Sequence, residues 1–188
     1  LLSLLNSSFA QRIQLSSPTG VTRLRIENSD HLFYSLSNKG RSVIDPSSVE
    51  MVFNRPDVSL NQFVIIKIDS STKDETWAPV WGEVNKIRNH YKELMLTLKD
   101  KAESGIMMKI IFRVFDDGLG FRYEFPEQAS LKHFIVSDEL TQFNVAADHK
   151  TFWIPGDYDS NEYPYNTTLL SEIDALTQSA KEPDIAVK

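Results

Sequence analysis

The 188-residue sequence contains no cysteine. A disulfide framework, a thiolate metal site and a cysteine nucleophile are therefore excluded, while an oxidising compartment stays compatible. There is no Gly-Lys-Ser/Thr loop for phosphates and no Gly-x-Ser-x-Gly elbow, so P-loop nucleotide binding and serine-hydrolase chemistry lack their motifs. Long runs of one charge are absent too, and the net charge of -6 with a pI near 5.2 argues against nucleic acid as a partner. No histidine pair stands at metal-ligand spacing, which leaves a zinc site without support. Beyond the N-terminus nothing is long and apolar enough to span a membrane as a helix.

What is present is alternation. Thr22, Leu24 and Ile26, then Leu32, Tyr34 and Leu36, alternate with polar neighbours at the period of half-buried strands, and Asn38-Lys-Gly40 supplies hairpin residues. Val43-Ile44, stopped by Asp45-Pro46, reads as a short strand, and Val49 to Phe53 as another. Gln62 to Ile68 is nearly continuous in apolar residues and predicts a strand covered on both faces. Ser70 to Lys73 reads as a polar loop. Pro79 between Trp77 and Trp81 predicts a rigid extended turn rather than a helix. Leu94, Leu96 and Leu98 restart the alternation. Residues 106–125 predict a long antiparallel hairpin around Asp116-Asp117-Gly118, with aromatic cross-strand partners. Phe134 to Val136 and Thr141 to Phe143 predict short strands, and Leu169 to Ala180 the single helix, ended by Pro183. Strand after strand joined by short turns predicts an all-β antiparallel β-sandwich.

Candidate chemistry concentrates in Trp153-Ile-Pro-Gly-Asp-Tyr-Asp-Ser-Asn-Glu-Tyr-Pro-Tyr-Asn166, which carries Asp157, Asp159 and Glu162 among aromatic rings and turn formers. A buried strand does not tolerate that density of charge. An ordered loop offering oxygen ligands and flat rings suits a hard cation, a sugar, or both. Glu162, between Asn161 and Tyr163, reads equally as a cation ligand or as an exposed loop charge. Asn161, His90 among Arg88, Asn89 and Tyr91, and Trp153 are the further candidates for sugar contact; for the last two the bland alternatives are a hydrogen-bonded structural histidine and a core tryptophan. Asp116-Asp117 reads as turn chemistry, and Asp138-Glu139 as a solvated strand end.

Four stretches, Pro79-Val-Trp-Gly-Glu83, Arg88-Asn-His-Tyr91, Phe112 to Pro126 and Trp153 to Tyr163, occur in order and at natural spacing. Together they resemble the N-terminal domain of glycoside hydrolase family 97, bacterial α-glucosidases and α-galactosidases that are exported and usually periplasmic. The resemblance runs from about Ser17 to the end. It implies a large sandwich of the galactose-mutarotase type, followed by a catalytic barrel and a small C-terminal β-domain. It further implies an α-linked oligosaccharide as substrate and a Ca²⁺ ion at the active site, with one ligating glutamate supplied by the N-terminal domain; Glu162 is the matching position. Catalytic residues belong to the barrel, so none is carried over.

Leu1 to Ala10 reads as the remnant of a signal peptide clipped at its start, leaving residues 11–188 as the sandwich domain and placing the protein in the periplasm or outside the cell. Ile185-Ala-Val-Lys188 reads as the start of another strand, as in a fragment cut inside a larger β-domain. Two rival readings are a free-standing carbohydrate-binding module, with Trp77, Trp81 and Trp153 as its platform, and a mutarotase-like epimerase suggested by fold analogy alone.

Overall fold

The structure is a computed structural model that describes residues 11–102, 104–155 and 164–174. The chain divides into two units, Leu1–Asn144 and Val145–Lys188. All sheets among the described residues are antiparallel.

In the first unit β1 (Gln11–Ser16), β2 (Thr22–Asn28), β3 (Leu32–Asn38) and β4 (Arg41–Ser48) form one meander in that order. The β3–β4 turn places Lys39 and Gly40 at φ of 50° and 78°, the backbone that the Asn-Lys-Gly sequence favours. A second meander runs β10-β9-β8-β7, from β7 (Phe63–Trp77), β8 (Ile87–Asp100), β9 (Met107–Val114) and β10 (Leu119–Glu124). Its β9–β10 hairpin sets Phe121 opposite Phe112, the aromatic pairing expected from alternation. A third sheet, in the order β11-β5-β6, comprises β5 (Met51–Arg55), β6 (Asp57–Leu60) and β11 (Ile135–Glu139).

The two meanders form a sandwich because their apolar alternates meet. Leu24, Ile26, Tyr34 and Leu36 share one core with Leu94, Leu96, Leu98, Met108, Ile110 and Phe112. The Tyr34 ring lies 6.2 Å from Phe112 and 5.6 Å from Phe121. Met51, Phe53 and Leu60 of the third sheet join the same core, with Phe53 edge-on to Phe125 at 5.4 Å. Polar clasps tie the sheets at their rims: Thr22 Oγ1 and Asn38 Nδ2 donate to the Asp116 carbonyl at 2.8 and 3.2 Å, and Asn28 Nδ2 donates to the Phe63 carbonyl at 3.0 Å.

Four local expectations need correction. Ser70 to Lys73 is not a loop but the middle of β7, opposite Leu94 to Tyr91 of β8; ladder bonds to β8 hold polar residues in the strand. The β7 start is not covered on both faces, since Val64, Ile66 and Ile68 are exposed on a strand at the end of its sheet. Val43-Ile44 belongs to the longer β4, which tolerates Pro46 because an edge strand has no second ladder to break. Thr141 to Phe143 forms no ladder of its own; Gln142 N–H donates to the Ser48 carbonyl and the Tyr34 hydroxyl donates to the Gln142 carbonyl.

The second unit contains the hairpin β12 (Lys150–Trp153) and β13 (Asn166–Leu169), followed by a 3-10 turn at Leu170–Glu172. The expected helix from Leu169 is overturned over its described part, because pairing of Leu169 with Lys150 and a 3-10 turn occupy its first residues. Its remainder lies outside the described residues.

Candidate functional site

The carboxylate-rich stretch is closed at its base by a hairpin. Trp153 pairs with Asn166 and Phe152 with Thr167, so residues 154–165 connect two ends that the ladder holds together. Trp153 is buried, and its indole N–H donates to Thr168 Oγ1 at 3.0 Å. Pro155 beside it is buried and Tyr165 exposed. Below the hairpin, the Asp148 carboxylate accepts the Ser171 backbone N–H at 2.9 Å and its hydroxyl at 2.8 Å. These bonds, the backbone one first, hold the Asp148 carboxyl below the usual range. The Glu172 carboxylate accepts the Leu169 N–H at 2.9 Å. Glu162 and Asn161, the candidate metal ligand and its neighbour, lie outside the described residues.

His90 belongs to the first unit, on the arm of β8 that pairs with β7. It sits opposite Asp74, with Nε2 3.8 Å from Asp74 Oδ2. Arg88 grips the same carboxylate with two bonds, Nε at 2.9 Å and Nη2 at 2.7 Å. That grip pushes the Asp74 carboxyl down. On the opposite face of the ribbon, Glu75 accepts from Lys73 at 2.8 Å and from Asn89 at 3.0 Å, and these bonds lower its pKa in the same order. Further along that face, Arg113 lies 4.6 Å above the Tyr91 ring and bonds Glu93 at 2.8 Å. The alternation of Lys73 and Glu75 with Asp74 could have revealed this two-faced polar ribbon, but reading Ser70 to Lys73 as a loop concealed it.

The Asp116 carboxylate accepts the Thr19 hydroxyl at 2.6 Å and the Thr19 backbone N–H at 3.1 Å, so it fastens a turn. Asp138 and Glu139 end the exposed β11. Among the described residues no three histidine, aspartate or glutamate side chains converge in a way that could hold a metal ion.

A family model described as glycosyl-hydrolase 97 N-terminal matches residues 15–186. The chain belongs to this family. The retaining alpha-galactosidase of Bacteroides thetaiotaomicron is 26% identical over 175 residues, which cover 87% of this chain and 25% of the relative. A family 97 glycoside hydrolase of Pseudoalteromonas sp. strain K8, solved with panose, superposes with a TM-score of 0.78 at 32% identity, over 85% of this chain and 25% of that one. A family 97 enzyme of the same strain solved with acarbose gives 0.76 at 32%, over 83% of this chain and 24% of that one. A beta-arabinopyranosidase with a TM-score of 0.74 at 23% identity shares the fold. This family 97 chain spans about a quarter of the length of the relatives it matches. The matched range includes the β12–β13 hairpin, its connecting segment and the β7–β8 ribbon that carries His90.

Proposed function

We propose that this chain is the N-terminal sandwich of a calcium-dependent, exo-acting α-glycosidase, an α-glucosidase or α-galactosidase exported to the periplasm or beyond. In this reading residues 11–188 form the domain and residues 1–10 are what remains of a signal peptide. The domain shapes the sugar pocket and lends Glu162 to a calcium ion shared with the catalytic barrel of the same polypeptide. Asn161 and His90 contribute sugar-facing surface, whereas Trp153, buried with its N–H on Thr168, supports the hairpin behind the loop and is no sugar platform. Alone it is no hydrolase. The observation that carries the reading is the family match over residues 15–186 in relatives about four times as long.

A shared ion follows from ligand number. Calcium takes about six to eight oxygens. Glu162 alone supplies too few, so in this reading oxygens from the barrel complete the coordination. An α-linked oligosaccharide as substrate is supported by the panose and acarbose bound to the Pseudoalteromonas enzyme and by the activity named for the Bacteroides relative.

The test uses the full-length enzyme. Glu162→Gln keeps the side chain's size and removes one charge. Calcium affinity should fall about tenfold or more, because ligand charge sets affinity at such sites, and turnover at limiting calcium should fall with it. Unchanged affinity and turnover would remove Glu162 from the ion. A second reading, a free-standing carbohydrate-binding module, is favoured by the exposure of Trp77 and Trp81. Calorimetric titration with maltooligosaccharides separates the two: binding by this chain without a barrel supports the module.

A further inference from the structure

The longest hairpin outgrows its sheet. In β8, Lys92 to Lys99 pair with β9, whereas Ile87 to Tyr91 pair only with Lys73 to Trp77 of β7 among the described residues. At about 3.3 Å per residue this two-stranded ribbon runs roughly 16 Å beyond the last β8–β9 pair. Two-stranded ribbons are marginal on their own. Across this one the Asp74–Arg88 fork and the Glu75–Asn89 bond link the two strands.

Its tip is apolar and uncovered. Val80 is 99% exposed, Trp81 87%, Val84 56% and Trp77 49%. Scattered exposed apolar residues need no explanation, but two tryptophans and two valines within eight residues at the end of one hairpin concentrate exposed apolar side chains as interaction sites do. Tryptophans in such patches commonly anchor protein interfaces. Val80 and Val84 add aliphatic surface with no hydrogen-bonding group, which a dry protein contact uses and a saccharide platform does not. The relatives carry three quarters of their length outside the region this chain matches, and this domain is the N-terminal one.

We propose that the β7–β8 tip, formed by Trp77, Val80, Trp81 and Val84, docks into the part of the same enzyme polypeptide that lies C-terminal to this domain. The inference rests on reading the chain as an N-terminal domain. The arm enters an apolar recess of that part, and Trp81 is the anchor.

The experiment places the photoreactive residue benzoylphenylalanine at position 80 of the full-length enzyme and identifies its adducts by mass spectrometry. Expected are intramolecular adducts to peptides from beyond Lys188, with their yield lowered about threefold or more by Trp81→Ala, as for loss of an interface anchor. Several results would overturn the proposal: no downstream adduct, adducts only between two copies, or quenching of Trp81 fluorescence by maltotriose with no downstream adduct. Calcium binding by the same preparation, compared with Glu162→Gln, reports separately on the domain reading, so an enzyme that keeps its calcium dependence but lacks the adduct refutes the docking arm alone.

Discussion

Tyr34→Phe isolates one hydrogen bond in the middle of the sandwich. The Tyr34 side chain is 2% exposed, and its hydroxyl donates to the Gln142 carbonyl at 2.6 Å. Phenylalanine keeps the ring against Phe112, Phe121 and Phe143. The lost bond and the unpaired carbonyl together should cost about 1–2 kcal/mol at pH 7. For a chain of this size that lowers the melting temperature by roughly 2–8 °C. The hydroxyl also makes an alkaline prediction. Burial pushes the Tyr34 pKa from 10.0 up to about 12. The unfolded chain therefore releases this proton first, so the stabilisation is complete below pH 10 and is lost as pH rises through about 12. Each pH unit in that window removes about 1.4 kcal/mol. Tyr123, whose hydroxyl is 2.6 Å from Thr141 Oγ1, is raised to about 12 by burial and titrates in the same window. Urea unfolding followed by far-ultraviolet circular dichroism, at pH 7 and from pH 9 to 11.5, should show wild type losing stability more steeply than Tyr34→Phe above pH 10. Equal stability at pH 7 and parallel alkaline slopes would refute both the bond and the burial argument.

Phe112→Ala should cost about 3–5 kcal/mol, since it empties a core position between Tyr34 and Phe121. Phe152→Ala, at an exposed position of β12, should shift the urea midpoint little, and a comparable loss would contradict the assigned core. Asp116→Asn should weaken the clasp to Thr19 at pH 7. The Thr19 hydroxyl bond depresses the Asp116 pKa below its ordinary 3.8, so the wild-type advantage holds above that value and fades as pH falls through the folded one. Urea midpoints at pH 7 and pH 3 check the sign, and an advantage that grows on acidification would overturn the argument.

The strands that face a shared core on one side were readable from residue order, because a pleated strand turns alternate side chains to opposite faces and one-sided burial prints that period. Thr22 to Ile26, Leu32 to Leu36, Leu94 to Leu98 and the Phe112 to Phe125 hairpin all carry it, and their all-β sandwich follows. The motif chemistry was readable too: Asp116-Asp117-Gly118 is a turn that fastens Thr19. Ladder partners are not written along the chain. Ser70 to Lys73 extend β7 only because β8 lies beside them, and Leu169 leaves a helical pattern to pair with Lys150. Exposure is equally a property of the assembled fold. Three tryptophans of one residue type end in different settings, Trp153 buried with its N–H satisfied, Trp77 half-exposed at a ribbon's end and Trp81 in open solvent, because burial depends on what distant segments bring alongside.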